Sequence, residues 1–235
     1  MKVAIAVFVK TPDLSPVKTR LAATLGRVQA DAFFHLAKAA NEALLAQAVP
    51  DFAAQGISLS AYWAVGEQQG LAHPLWQSRF MHRLHTGEGG LGERMHHVYS
   101  TLLHTHDAVL LVGMDSPQNS VSNLRDAAQC LRQPQRLVIG PARDGGFYLF
   151  GGNTPVPLSR WTAVQYGQDD TLQQWVAALH GYDIHYLNAM TDVDTAANLR
   201  QMVAEMQGEL LPEQLALRVF VQGLPHHADS ADSYS

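Results

Sequence analysis

Val3-Ala4-Ile5-Ala6-Val7-Phe8-Val9 is an unbroken apolar run, rich in β-branched residues, and the polar turn Lys10-Thr11-Pro12 ends it. A run of this kind suits a strand covered on both faces, as in a parallel sheet. The same reading extends to 108–113, 137–142 and 147–150, while 57–65 alternates and 184–187 is a short strand. Helical periodicity fills the intervals. Ser15-Pro16 reads as a cap with proline at the first helical position, opening a short helix that stops at Gly26. A longer helix aligns Phe33, Leu36, Ala37, Ala40 and Leu44, with Pro50 and Gly56 as punctuation. Further helices align Leu91, Met95, Val98 and Leu102; Leu124, Ala128 and Leu131; Leu172, Trp175, Val176 and Leu179 behind Asp169-Asp170; and Ala196, Leu199, Val203 and Met206. The stretch 66–79 reads as loop, and the polar segment from about Gly223 onward as a mobile tail. Strands alternating with helices this regularly define an α/β layered sheet with no internal repeat and no linker.

Composition narrows the function classes. The chain has 235 residues, 47% of them apolar, enough for a full core. A formal charge of −5 argues against a general nucleic-acid or membrane-surface binder, since both need a basic face. Cys130 is the single cysteine, so no disulfide forms within the chain. The first apolar run is too short to span a membrane and has no small-residue cleavage site after it, which points to a cytoplasmic protein. No Gly-x-Ser-x-Gly elbow, Walker loop, Gly-x-Gly-x-x-Gly fingerprint or His-Glu-x-x-His pattern appears among these residues.

Three strands end in polar turns: Lys10-Thr11-Pro12, Met114-Asp115-Ser116-Pro117 and Arg143-Asp144-Gly145-Gly146. Ligands of open α/β sheets bind beyond the carboxyl ends of the strands, which gathers Lys10, Asp115 and Asp144 at one site. Aspartate is also a common turn former, so each carboxylate taken singly has a structural reading as well. Lys18 and Arg20 lie at a helix start, where free backbone N–H groups already favour anions; an incoming phosphate or a solvated helix start both account for them. Arg94 begins another helix and reaches either a phosphate or a neighbouring glutamate. Asp192 and Asp194 are one residue apart, so in an extended segment both face one cation, with capping of the last helix as the alternative for Asp194. Mg²⁺ and Mn²⁺ take oxygen ligands and use only one or two carboxylates beside phosphate and water.

Read in order, Phe8-Val9-Lys10-Thr11-Pro12, Val17-Lys18-Thr19-Arg20-Leu21, Gly92-Glu93-Arg94-Met95, Gly113-Met114-Asp115-Ser116-Pro117, the segment Gly140 to Leu149 and Asp192-Val193-Asp194-Thr195 form a pattern. It resembles a bacterial family of GT-A-fold proteins labelled glycosyltransferases, some of them tied to arsenosugar biosynthesis. The resemblance covers residues 3 to roughly 206 and departs at Leu14-Ser15, where the family has Pro-Gly, and at Gly90, where it has Asp. It implies a nucleotide-diphospho-sugar transferase-like fold, three layers α/β/α around a mostly parallel mixed sheet, over residues 1–207. Residues 208–235 form a C-terminal extension with a short helix and the mobile tail.

By the same resemblance, Phe8, Lys10, Lys18, Arg20 and Arg94 bind the nucleotide and its phosphates. Asp115, Asp192 and Asp194 hold a divalent metal, Mg²⁺ or Mn²⁺. Asp144 and Asp115 are the catalytic carboxylates, and Gly145, Gly146 and Tyr148 line the acceptor or sugar pocket. The implied activity is a metal-dependent glycosyltransferase with a nucleotide-diphospho-sugar donor and a small-molecule acceptor, without nucleic-acid or membrane partners, and with a homodimer allowed. Two alternatives stand beside it. A guanylyltransferase-like nucleotidyltransferase acting on a small phosphorylated metabolite shares the lysine and Asp-x-Asp-Thr elements, and a non-catalytic nucleotide binder shares the fold.

Overall fold

The computed structural model describes residues 1–225. Seven strands form one sheet: β1 (Lys2–Val9), β2 (Ser58–Val65), β3 (Met81–His85), β4 (Ala108–Gly113), β5 (Arg136–Pro141), β6 (Phe147–Gly152) and β7 (Asp183–Tyr186). Their order across the sheet is β3-β2-β1-β4-β6-β5-β7. Every pairing is parallel except those of β6, which runs against both β4 and β5. The carboxyl ends of β1, β4 and β5 therefore share one edge, and the β5–β6 turn closes there.

Apolar runs become central strands because both of their faces are covered. Val3, Ile5, Val7 and Leu110 pack under α2 (Arg27–Ala54) and α4 (Val121–Cys130). Ala4, Ala6, Val109, Ile139 and Phe150 pack under α3 (Leu91–Leu103), α5 (Leu158–Trp161) and α6 (Thr171–Ala178). The second layer is aromatic: Trp161 and Trp175 are fully buried with ring centroids 4.6 Å apart, and Phe150 lies edge-on to both. A third cluster sits outside the first layer. There Leu21 of α1 (Thr19–Leu25) and Phe33 of α2 meet Leu199 and Met202 of α7 (Ala196–Glu205) and Leu217 of α8 (Pro212–Gln222). The three-layer α/β/α architecture with a mostly parallel mixed sheet is as expected.

Local expectations fail at three places. The first helix does not open at Ser15-Pro16. The N–H groups of Leu14 and Ser15 both bond to the Thr11 carbonyl, a tight turn that delays the helix to Thr19. Helix α2 runs through Pro50 to Ala54, and Phe52 in that last turn is fully buried, so packing outweighs the hydrogen bond proline removes. The stretch 66–79 holds two 3-10 turns, Gln68–Ala72 and Pro74–Trp76, and the edge strand β3 follows it, which no periodicity announced. The expected mobile tail lies, from residue 226, outside the described residues. Among the described residues no helix is long and apolar enough to cross a membrane.

Candidate active site

The turn after β1 is braced from the next loop. Thr11 donates its N–H to Glu67 Oε2 at 2.9 Å, and its buried hydroxyl accepts from Trp76 Nε1 at 3.0 Å. Burial works to raise the Glu67 pKa, but hydrogen bonds from Ser15 and Thr11 outweigh it and hold the carboxyl below its ordinary range. Lys10, beside this brace, is exposed and has no hydrogen-bond or ion-pair partner among the described residues. Lys18 is different. Its backbone is left-handed, φ 50° and ψ 35°, a conformation that costs a non-glycine residue about 1 kcal/mol or more. That geometry turns the side chain inward, where Nζ donates to the Val193 carbonyl and lies 2.8 Å from Asp115 Oδ1. Arg20, two residues on, pairs with Asp194 at 2.9 Å. The two cations at this helix start thus each engage a carboxylate.

Those carboxylates come from two loops pinned together. The N–H of Val193 donates to the Asp115 carbonyl at 2.9 Å, and Val193 itself is buried in the outer cluster. Its neighbours Asp192 and Asp194 therefore point away from the core on one side, as alternate residues of an extended segment do. Asp115, Asp192 and Asp194 each bring one carboxylate oxygen to within 4.8 Å of the others. Thr195, not Asp194, precedes α7 as its cap, and Asn198 Oδ1 accepts from the Thr195 N–H at 2.9 Å. Burial and the Asp115 charge push Asp192 up to about 7, with smaller contributions from Asp144 and Asp194 that Lys18 opposes. Three hard oxygen donors this close together, with Lys18 and Arg20 offsetting only part of their charge, fit a divalent cation such as Mg²⁺ or Mn²⁺.

Glu205, in the last turn of α7, was not legible as a site residue. Its carboxylate accepts from the Thr191 N–H at 2.8 Å, the Thr191 hydroxyl at 2.7 Å, Gln118 Nε2 at 2.9 Å and Arg143 Nε at 2.8 Å. One side chain so ties together the loop bearing Asp192, the loop bearing Asp115 and the turn bearing Asp144. Burial works to raise its pKa, and these four donors hold it low instead. A glutamate at a helix end resembles any solvated one in sequence, and only its partners reveal it.

Asp144 stands exposed on the β5–β6 turn, with Oδ1 accepting from the Gly146 N–H at 3.0 Å. Gly145 is required beside it. Its φ is +91°, and a Cβ there would fall 1.8 Å from the Asp169 carbonyl oxygen. Tyr148 lines the cleft with its ring alone. Its hydroxyl donates to the Asn188 carbonyl at 3.1 Å and accepts from Asn123 at 3.0 Å, and burial pushes it up to about 12. Arg94 acts as a strut, donating to the carbonyls of Gly89 and Gly66 and to the Thr86 hydroxyl.

Two clefts meet at this edge and share Phe8 and Leu91. One, of about 640 Å³, is lined by Lys10, Lys18, Arg94, Glu67 and Asp115. The other, of about 540 Å³, is lined by Arg20, Asp144, Asp169, Asp192 and Asp194 together with Met95, Phe147 and Tyr166. The acidic cluster lies on the ridge between them. Of the site residues named from sequence, all but Gly145 line one or the other of these two clefts.

The clefts lie beyond the carboxyl ends of the parallel strands, where open α/β sheets bind their ligands. The whole chain is similar in structure to a candidate nucleotide-diphospho-sugar transferase from Desulfovibrio desulfuricans G20, with a TM-score of 0.74 and 22% identity over 94% of each chain. It is also similar to the bifunctional IspDF from Campylobacter jejuni, with a TM-score of 0.54 and 9% identity over 86% of this chain and 54% of that one. These likenesses establish a nucleotide-diphospho-sugar transferase-like fold. Residues 38–168 match the family described as an uncharacterized protein conserved in bacteria (DUF2064), and the chain belongs to that family. No curated protein matches the sequence.

Proposed function

We propose that the protein is a metal-dependent glycosyltransferase that takes a nucleotide-diphospho-sugar donor and a small-molecule acceptor. The observation that carries this reading is the position of the Asp115, Asp192 and Asp194 cluster on the ridge between two clefts, one bearing cations and the other carboxylates. The nucleotide lies in the first cleft, with Phe8 beneath it, Lys10 free to meet phosphate and Arg94 fixing the wall. Asp115, Asp192 and Asp194 would hold Mg²⁺ or Mn²⁺. A divalent ion at that point stabilises the charge that develops on a departing nucleoside diphosphate. The chain's own residues do the rest. Lys18 and Arg20 orient the carboxylates, Glu205 fixes the three loops, and Asp144, which lines the second cleft, would accept the proton of an acceptor hydroxyl there.

A thermal-shift panel tests the reading. Nucleotide-diphospho-sugars based on uridine, guanosine and adenosine are compared with nucleoside triphosphates, each with and without Mn²⁺. Stabilisation follows affinity, so at least one nucleotide must raise the melting temperature only when metal is present. Lys10→Ala must weaken that response. The free charge of Lys10 serves a triphosphate equally well, which keeps a nucleotidyltransferase as the second reading. Release of pyrophosphate from a nucleoside triphosphate would establish it and sink the first.

A further inference from the structure

The two clefts carry opposite charge. The nucleotide-side cleft sets Lys10, Lys18 and Arg94 against Glu67 and Asp115. The other sets Arg20 alone against Asp144, Asp169, Asp192 and Asp194, and Arg20 is already paired with Asp194. A bound divalent ion would offset the cluster of Asp115, Asp192 and Asp194, but Asp144 and Asp169 stand outside that cluster and have no ion-pair partner among the described residues. The same cleft also has an apolar lining, formed by Met95, Phe147 and Tyr166. The Tyr166 hydroxyl donates to the Trp161 carbonyl at 3.0 Å, which leaves its ring as the surface available to a ligand.

We infer that this second cleft takes a compact acceptor that is cationic or uncharged, with an apolar face and hydroxyl or amine donors, and that it rejects phosphorylated and carboxylated molecules. The inference rests on the reading of this cleft as the acceptor side of a transferase. Carboxylates accept hydrogen bonds and cannot donate them, so Asp144 and Asp169 match O–H and N–H groups on the ligand. An anion would meet two like charges with no guanidinium or ammonium free to pair with it. The apolar wall then favours a ligand with one hydrophobic side, as small-molecule sites do. A nucleotidyltransferase acting on a phosphorylated metabolite needs the reverse charge in this place, so the cleft also bears on the choice between the two readings.

The test uses the full chain at saturating Mg²⁺ and three probes with one skeleton: para-hydroxymethylbenzylamine, para-benzenedimethanol and para-hydroxymethylbenzoate. Binding is followed by ligand-observed NMR titration. The amine is expected to bind about tenfold or more tightly than the benzoate, with the diol between them. In the double variant D144N/D169N, both sites being exposed, that ratio is expected to shrink to about twofold. Benzoate binding equal to or tighter than amine binding overturns the inference, as does an unchanged ratio in the double variant or no binding of any probe. The outcome is separable from that of the proposed function. Failure of metal-dependent nucleotide binding with the charge order intact removes the transferase reading and leaves the cleft's selectivity; the converse removes the selectivity alone.

Discussion

Lys18 Nζ lies 2.8 Å from Asp115 Oδ1 with its side chain only 5% exposed, so the chain supplies a cation of its own to the acidic cluster. The left-handed backbone of Lys18 is the local strain that delivers it there.

Replacing Lys18 by methionine removes that cation and leaves the side chain's volume. Breaking a fully buried pair costs about 3–5 kcal/mol, but Asp115 is about a third open to solvent, so a loss of about 1–3 kcal/mol is expected. The metal-free variant should melt lower than wild type and gain more from added Mg²⁺, because the ion takes over the missing charge. A metal-induced shift no larger than that of wild type would count against this account.

Asp192 gives the pH dependence its sign. Its folded pKa, about 7, stands above the ordinary aspartate value of 3.8, so the folded state binds the proton more tightly than the unfolded one. Its contribution to metal-free stability is present at low pH and is lost as pH rises from about 4 through 7. The stability difference between wild type and D192N should therefore move in favour of D192N across that window. Metal must also displace this proton, so the melting shift given by Mg²⁺ should grow between weakly acidic and weakly basic buffer. A shift independent of pH in differential scanning calorimetry would refute both statements.

Glu205→Ala leaves the Thr191 N–H and hydroxyl, Gln118 and Arg143 without their shared acceptor. Unsatisfied partly buried donors cost about 1–3 kcal/mol, and the solvent access left to Arg143 places the expected loss at about 2–3 kcal/mol. Denaturant unfolding measures that loss. Calorimetric titration should show weaker Mg²⁺ binding as well, with recovery in Glu205→Gln smaller for Arg143, which loses its ion pair, than for Thr191. Unchanged metal affinity would make Glu205 a purely structural residue.

Gly145→Ala places a methyl group 1.8 Å from the Asp169 carbonyl oxygen at a φ of +91°. Backbone rather than a flexible side chain is in the way, so the turn must move, at about 2–4 kcal/mol. Denaturant melts should show the loss, and the tryptophan fluorescence of the layer holding Trp175 should change, since the Leu172 N–H donates to the Gly145 carbonyl.

Much of this architecture can be read from the residues alone, and what cannot has physical reasons. The apolar runs at β1, β4 and β5 announce themselves because both faces are buried. β6 is equally apolar, but an apolar run does not carry its direction, and the reversal depends on the short turn at Asp144. β3 is hidden because Met-His-Arg-Leu-His at a sheet edge buries only its first residue. Asp115, Asp192 and Asp194 were readable as carboxylates at strand and helix ends. The inward turn of Lys18 was not, since it follows from a non-glycine φ that no residue-type preference favours. Glu205 and the Arg94 strut escaped for a different reason, as their meaning lies in partners distant in sequence.

The reversed strand has one more consequence. β5 and β6 are joined by a short turn, so their pairing closes at little entropic cost, whereas β1 meets β2 and β4 only across long stretches of chain. Asp144 thus sits on the most local contact of the sheet. Asp115 and Asp192 are brought together by the Val193–Asp115 backbone bond, and Lys18 and Arg20 join them from still farther away in sequence. Metal affinity should therefore arise last as the chain collapses, and a bound ion would report the finished molecule rather than any fragment of it.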